Sequence, residues 1–179
     1  RNHHYANLIG ERSEANLKGI FFAGKKQIID NKTNINHLNH SSFSNQIYKG
    51  ILTDQAKASY LSKTFVDKKA KKTDGYQLSK GILLSKDAYF HSKPELKIYT
   101  DDVKCSHGST IGPFDNEEIF YLRSRGINEK EARSLLIKAF CKDLLISLEE
   151  DSYLSEINTL SYLSEINTLL DKWLLRYVK

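Results

Sequence analysis

The chain has 179 residues, 40% of them hydrophobic and 27% charged, which is enough for one good core or one domain with a small appendage. No run of about 18 apolar residues is present, which argues against a membrane-spanning helix. The net charge of +5 is spread along the chain without aromatic residues between the lysines, which argues against a nucleic-acid binder. The chain starts at Arg1 and contains no Met, so we expect a fragment or a processed piece.

The first half of the chain contains a short internal repeat. The segment Lys18-Gly19-Ile20-Phe21 recurs as Lys49-Gly50-Ile51-Leu52 and as Lys80-Gly81-Ile82-Leu83, each 31 residues further on. Two other pairs keep this step, Gln46 with Gln77 and Lys32 with Lys63. A fixed period of this length is typical of stacked structural units. We therefore expect the three glycines to lie where the backbone turns or packs closely.

Short apolar stretches follow each copy of the repeat and predict β-strands. They are Gln27-Ile28-Ile29, Tyr60-Leu61 with Phe65-Val66, and Tyr89-Phe90. Asp74-Gly75 is the only clear signal for a two-residue hairpin. Repeated strands without hairpins favour a parallel β-solenoid. The alternative is an antiparallel sandwich in which the three-residue matches arose by chance.

Two polar segments inside this half have competing interpretations. Asn36-His37 and Asn39-His40 place two imidazoles three residues apart, which fits a helix face or a loop near a partner surface better than a strand, and metal binding is the other alternative. The densest basic cluster, Lys68-Lys69-Ala70-Lys71-Lys72, is interpreted as a solvated turn between strands.

The segment Thr100 to Gly108 separates the strand-like half from a helical half and contains the only close pairing of a thiol and an imidazole. In a strand, Val103, Cys105 and His107 would point to one face. A thiolate and an imidazole on one face can share a transition-metal or iron–sulfur ligand set, which two ligands do not complete. The alternative is a buried thiol beside a hydrogen-bonded His. The adjacent Asp101-Asp102 is expected to cap the turn or pair with Lys104, because neighbouring strand residues face opposite ways.

Helical signals begin at residue 115. Asp115-Asn116-Glu117-Glu118 resembles a capping box, and Gly126 is a natural C′ residue. Asn128-Glu129-Lys130-Glu131 starts a second helix in the same way. A stripe at helical spacing follows it, consisting of Ala132, Leu135, Leu136, Ala139, Phe140 and Leu144.

The two cysteines, Cys105 and Cys141, are 36 residues apart and form neither a disulfide framework nor a zinc motif, so we expect a reducing cytoplasm. Cys141 is expected to pack as a small hydrophobe.

A perfect nine-residue tandem duplication covers residues 152–169. Its copies would face opposite sides of a straight helix, so we expect a tolerant terminal segment with a break or an extra contact surface. Trp173, Leu174 and Tyr177 are expected to dock the tail.

Several segments in order resemble the C-terminal half of the SufB/SufD family of iron–sulfur cluster assembly proteins. They are 72–77, 81–85, 94–99, 101–112 with its Cys-Ser-His-Gly sequence, and 120–127. The Cys-Ser-His-Gly form resembles the SufD members of the family rather than the SufB members. The resemblance implies a mainly β fold, with an N-terminally truncated right-handed parallel β-helix over residues 1–113 and a C-terminal helical domain over 114–179.

The same resemblance implies a non-catalytic scaffold subunit of a SufBCD complex. Pairing with SufB would use the β-helix, with a homodimer through the β-helix edge as an alternative, and the ATPase SufC would bind the C-terminal helices. His107 and, with less certainty of role, Cys105 would lie at the interface and share a transient iron–sulfur cluster with SufB. The residues expected on the SufC-binding helices are Phe120, Tyr121, Leu122, Arg123, Arg125, Leu135 and Phe140. The complex can also carry a flavin, but no pattern in this sequence supports one.

A β-solenoid enzyme acting on polysaccharide is the rival interpretation. Such an enzyme needs a carboxylate cluster along one groove. The acidic residues of the solenoid half, for example Asp54, Asp67 and Asp87, fall mostly in predicted turns. The sequence also lacks G-x-x-x-x-G-K-[ST], G-x-G-x-x-G and G-x-S-x-G motifs, so no nucleotide-binding or esterase-type catalytic residues are assigned.

Overall fold

The computed structural model describes residues 1–149 and 159–178. Two compact units are distinguished, Arg1–Pro113 and Phe114–Lys179, and each is described by itself. None of the helices in the described part of the chain is long and apolar enough to cross a membrane.

The first unit is a parallel β-solenoid of eight strands. The strands are β1 (Asn2–Leu8), β2 (Glu14–Ala23), β3 (Ile28–His37), β4 (Phe43–Leu52), β5 (Lys57–Val66), β6 (Thr73–Leu83), β7 (Tyr89–Ile98) and β8 (Val103–Gly112). They form two four-stranded sheets, ordered β1-β3-β5-β7 and β2-β4-β6-β8, so each coil contributes one strand to each sheet. All six strand pairs are parallel, which confirms the predicted solenoid and excludes the antiparallel sandwich.

The strand register corrects the predicted 31-residue period. Gly50 pairs with Gly81 and Gln46 with Gln77, as predicted. Gly50 also pairs with Phe21 on its other side, so the first copy, with Gly19, is two residues out of register. Lys32 pairs with Leu61 rather than Lys63. The reason is unequal coil length. Seven residues separate β5 from Asp74, the first residue of β6 that pairs with β4, whereas five residues separate β3 from β4.

Each glycine of the three repeated segments nevertheless makes room for an aromatic ring. A Cβ on Gly50 would lie 2.4 Å from the Phe21 ring, and one on Gly81 would lie 2.4 Å from Phe90. At Gly19 the corresponding distance to Tyr48 is 2.6 Å. These rings form the core, in which Phe21 and Phe90 pack edge to face with centroids 5.2 Å apart. The prediction that the glycines lie at close approaches is confirmed.

The corners between strands are polar. Ala70 is buried in the corner between β5 and β6 while Lys68, Lys69, Lys71 and Lys72 are exposed, as expected of a solvated turn. The hairpin signal at Asp74-Gly75 is wrong, since both residues lie inside β6 and pair in parallel with β4. The first strand, β1, was not predicted, because its sequence is polar and all of its residues except Ala6 and Leu8 are exposed.

The second unit contains the helices α1 (Asn116–Ser124), α2 (Glu129–Glu149) and α3 (Thr159–Tyr177). Both predicted starts are confirmed: Asp115 accepts a hydrogen bond from the Glu117 backbone N–H, and Asn128 Oδ1 accepts one from the Glu131 N–H, each 2.9 Å long. Gly126 follows α1 with φ +86°, a left-handed conformation that suits glycine after a helix.

The buried face of α2 differs from the predicted stripe. Its buried residues are Ala132, Ile137, Cys141, Leu144 and Leu145. Cys141, Leu144 and Leu145 lie four, seven and eight residues after Ile137, so they share one face of the helix with it. Leu135 and Ala139 lie off this face, and Leu135 is 48% exposed while Ala139 is also exposed. Cys141 is fully buried, which confirms its predicted packing role.

The tail is docked through α3, as predicted for Leu174. Leu170, Leu174 and Val178 are buried, whereas Trp173 and Tyr177 are partly buried with their rings 5.1 Å apart. The second duplicated copy, 161–169, lies within α3, while most of the first copy lies outside the described residues.

Candidate functional site

The last strand, β8, positions the predicted thiol and imidazole on one face. It pairs only with β6 and is the final strand of its sheet. Cys105 pairs with Gly75 and His107 with Gln77, and both partners are buried on the inward face of β6. Because side chains alternate along a strand, Cys105 and His107 share that inward face. No further strand of the solenoid covers them, so Cys105 is half-buried and His107 is exposed.

The Cys105 thiol points into the solenoid toward Gly75. A Cβ on Gly75 would lie 3.2 Å from Cys105 Sγ, so glycine at this position leaves room for the sulfur. Burial raises the pKa of the Cys105 thiol, and the charge of Asp74 raises it further, while a hydrogen bond from the Gly75 backbone partly opposes both. The neutral thiol is therefore favoured.

Behind β8 the interior of the solenoid contains a polar ladder. The Thr33 hydroxyl donates to Gln46 Oε1 over 2.6 Å, and Gln46 Nε2 donates to Thr64 Oγ1 over 2.9 Å. Gln77 Nε2 donates to the same Thr64 Oγ1 over 2.8 Å and to the Glu95 carbonyl over 3.4 Å. Tyr60 Oη lies 3.0 Å from Thr33 Oγ1, and burial raises the pKa of that phenol.

The ladder is not fully satisfied near β8. Gln77 is 3% exposed, and its Oε1 has no hydrogen-bond partner among the described residues. Sequence reasoning missed this glutamine as part of the site. In the sequence, Gln77 is marked only by its 31-residue step from Gln46. That step indicates the repeat but does not indicate a row of hydrogen-bonded side chains.

A complete metal site is not present among residues 1–149 and 159–178. Within them, no three His, Cys, Asp or Glu side chains are grouped so as to hold a metal ion. His107 and Cys105 can supply an imidazole nitrogen and a thiolate, which suit iron–sulfur and other transition-metal sites. A metal held by His107 and Cys105 would therefore need further donors from outside this pair.

The second imidazole pair does not form a site. His37 is the last residue of β3 and fully buried, contrary to the prediction of a loop near a partner surface. Its Nδ1 lies 2.7 Å from Ser42 Oγ and its Nε2 lies 2.8 Å from Ser44 Oγ. Burial lowers the pKa of His37 to about 4. His40 lies in the exposed corner, with Nε2 3.6 Å from Glu11.

The remaining acidic candidates lie at corners. Asp102 precedes β8, and its backbone carbonyl accepts from the Lys72 N–H. Asp54, Asp67 and Asp87 also lie in corners between strands, and Asp54 accepts from the Lys25 N–H over 2.7 Å. These positions do not form the carboxylate groove that the polysaccharide interpretation needs, and no other feature of the described residues favours that interpretation.

In the helical unit, α1 presents an apolar and basic face to solvent. Phe120 is 73% exposed and Tyr121 is 55% exposed. The Arg125 guanidinium lies 4.8 Å from the Tyr121 ring centroid, and Arg123 lies 3.5 Å from Glu129. The other residues predicted for this surface are partly covered or lie on α2: Leu122 and Phe140 are half-buried, and Leu135 is exposed.

Comparison with known proteins covers all eight strands of the solenoid. Residues 1–140 match the family model described as SUF system FeS cluster assembly, SufBD core domain. The chain is 36% identical over 157 residues to iron–sulfur cluster assembly protein SufD of Escherichia coli, a match that covers 88% of this chain and 37% of that protein. It is 39% identical over 136 residues to an iron–sulfur cluster assembly SufBD family protein of Synechocystis, covering 75% of this chain and 30% of that protein.

A third relative is iron–sulfur cluster assembly protein SufD of Plasmodium falciparum, 32% identical over 135 residues that cover 75% of this chain and 9% of that protein. The chain thus spans about a third of the length of the bacterial relatives. The family match covers most of the chain and includes every strand of the solenoid. The chain belongs to the SufB/SufD core family and, within it, resembles SufD.

Proposed function

We propose that this chain acts as a SufD-like scaffold subunit that contributes ligands to an iron–sulfur cluster during its assembly. The observation that carries the proposal is the exposed His107 imidazole, on the inward row of the last strand of a SufBD core solenoid. An imidazole buried in a dry core could not reach a shared cluster. Cys105, two residues away on the same face, is the second donor.

The end of the solenoid suits a partner that supplies the missing donors. Both β7 and β8 are outer strands of their sheets, so each has one edge of backbone N–H and C=O groups with no strand beside it in residues 1–149 and 159–178. An edge of this kind is a template for pairing with another chain. A SufB-type subunit paired here would bring its own ligands next to His107. A second copy of this chain would pair through the same edge and is the alternative outcome.

The helical unit is proposed to bind the ATPase SufC. The exposed residues Phe120 and Tyr121, with the Arg125 guanidinium beside the Tyr121 ring, provide the aromatic and guanidinium groups that dominate binding interfaces. Arg123 adds a second exposed guanidinium to the same helix. SufC would supply ATP hydrolysis, since this chain has no nucleotide-binding motif. Hydrolysis would then shift the helices and rearrange the solenoid interface near His107.

The test is anaerobic cluster reconstitution on complexes formed with the partner subunits. We expect His107→Ala to lower the yield of the visible cluster absorption and to leave SufC binding unchanged. His91→Ala is the matched control, because His91 is also an exposed imidazole, on β7 of the same coil. Equal cluster yields from the wild type and His107→Ala would contradict the proposal. Loss of yield in both variants would show a general effect on the edge rather than a ligand role.

A further inference from the structure

The buried amide of Gln77 differs from its counterpart one coil away. Gln46 and Gln77 occupy the same register position on neighbouring strands, and both are buried on the inward face. Gln46 uses both halves of its amide, with Oε1 accepting from Thr33 and Nε2 donating to Thr64. Gln77 uses only its nitrogen, since no donor in the described part of the chain reaches its Oε1. Buried polar atoms without a hydrogen bond are uncommon and costly.

The orientation of the Gln77 amide is fixed by its neighbours. The Glu95 backbone carbonyl can only accept, so the amide half that faces it must be the donating nitrogen. The oxygen is therefore the half left without a partner, and exchanging the two halves would not satisfy the amide.

The next residue in the register row is His107. It pairs with Gln77 across the β6–β8 ladder and shares the inward face. Adjacent strands are about 4.8 Å apart, so paired side chains on one face are direct neighbours. The imidazole is exposed and has room to turn, whereas the amide is held in place. A neutral imidazole carries one N–H, which is the donor that Gln77 Oε1 lacks.

We propose that Gln77 is a positioning residue that accepts a hydrogen bond from the His107 ring N–H and thereby fixes the tautomer of the imidazole. The bond leaves the second ring nitrogen unprotonated and directs it out of the solenoid end. Metal-ligating imidazoles commonly donate their other N–H to an oxygen acceptor in this way, which orients the ring and increases its basicity. This inference rests on the proposed role of His107 as a cluster ligand.

The direct test is the tautomer of His107 in the isolated 179-residue chain, without iron. Histidine labelled with ¹⁵N reports, through long-range ¹H–¹⁵N correlations at a pH where the ring is neutral, which nitrogen carries the proton. We expect one tautomer of His107 to dominate by about fivefold or more over the ratio at His91, the preference expected of one net hydrogen bond. A ratio at His107 equal to that at the exposed His91 would overturn the proposal, and this comparison needs no variant.

Substitution then identifies the acceptor. Gln77→Met keeps the size of the side chain and removes the amide, so the His107 ratio should fall to that of His91. Gln46→Met is the matched control, since it makes the same change in the same row one coil further from His107, and it should leave the ratio unchanged. An unchanged His107 ratio in folded Gln77→Met would assign the preference to another acceptor and refute the proposal.

The two hypotheses fail separately. A fixed tautomer together with a normal cluster yield in His107→Ala would contradict the proposed function and leave the hydrogen bond standing. A mixed tautomer together with a yield that depends on His107 would reject the role of Gln77 and retain His107 as a ligand.

Discussion

The buried His37 imidazole predicts a loss of solenoid stability in mild acid. The ring is fully buried between the hydroxyls of Ser42 and Ser44. Ser42 Oγ donates to the Asn39 carbonyl over 3.1 Å, so it accepts from the Nδ1–H of His37, and Ser44 donates to Nε2. Both nitrogens of the neutral ring are therefore hydrogen-bonded. A second proton would place a positive charge in the interior, and no carboxylate of the described residues is identified beside it.

The direction and size of this stability change follow from the pKa of His37 in the folded chain and its pKa in the unfolded chain. Burial lowers the pKa of His37 in the folded chain to about 4 from an unperturbed 6.5, so below pH 6.5 the unfolded chain binds a proton that the folded chain does not. The stability that His37 contributes is present above pH 6.5 and is lost as the pH falls from 6.5 toward 4. Linkage gives a loss of about 2 kcal/mol between pH 7 and pH 5 from this one residue.

Hydrogen exchange of the β3 and β4 amides is the suitable assay, because it reports on the solenoid separately from the helical unit. The unfolding free energy of the wild type should fall more steeply between pH 7 and pH 5 than that of His37→Gln, by about 2 kcal/mol. Carboxylates contribute equally to both chains, so their effects cancel in this difference. His91→Gln, which removes an exposed imidazole, should keep the wild-type slope. Equal slopes for the wild type and His37→Gln would refute the reasoning.

Three further predictions concern packing, the helical surface and the duplication. Gly81→Ala places a Cβ 2.4 Å from Phe90 and should cost about 1–3 kcal/mol of solenoid stability in denaturant titrations, whereas Gly112→Ala, with nothing within 4 Å, should cost much less; equal costs would contradict the packing argument. Phe120→Ala removes a ring that is 73% exposed, so it should weaken SufC capture in a pull-down at unchanged melting temperature, and undiminished capture would remove Phe120 from that surface. Deleting residues 161–169 leaves the sequence before Leu170 unchanged, because the two copies are identical, so the melting temperature should change little and a large fall would refute the idea of a tolerant insertion.

The sequence predicted local features, such as helix starts and ends, better than the register in which successive coils of the solenoid pair. The helix starts at Asp115 and Asn128 and the stop at Gly126 depend on side chains within a few residues, and all three are present in the structure. The 31-residue step was correct between Gly50 and Gly81 and failed for Gly19. Corner length sets the register of each coil, and corners tolerate extra residues that a fixed period does not anticipate.

In the candidate site, too, local features could be predicted from the sequence and contacts between different coils could not. Alternation along a strand was sufficient to place Cys105 and His107 on one face. The hydrogen bonds of His37 depend on Ser42 and Ser44, which the corner between β3 and β4 brings next to the ring. The incomplete hydrogen bonding of Gln77 depends on side chains from different coils. Neither arrangement is visible from sequence spacing alone.

The proposed function depends above all on His107 of this chain, which we propose ligates iron in a cluster shared with a partner. Pulsed electron paramagnetic resonance of the reduced, reconstituted complex tests it directly when only this chain carries ¹⁵N-histidine. We expect a ¹⁵N hyperfine coupling of a directly bound imidazole that is present in the wild type and in His91→Ala and absent in His107→Ala. A cluster without such a coupling in the wild type, or with the same coupling in His107→Ala, would contradict it.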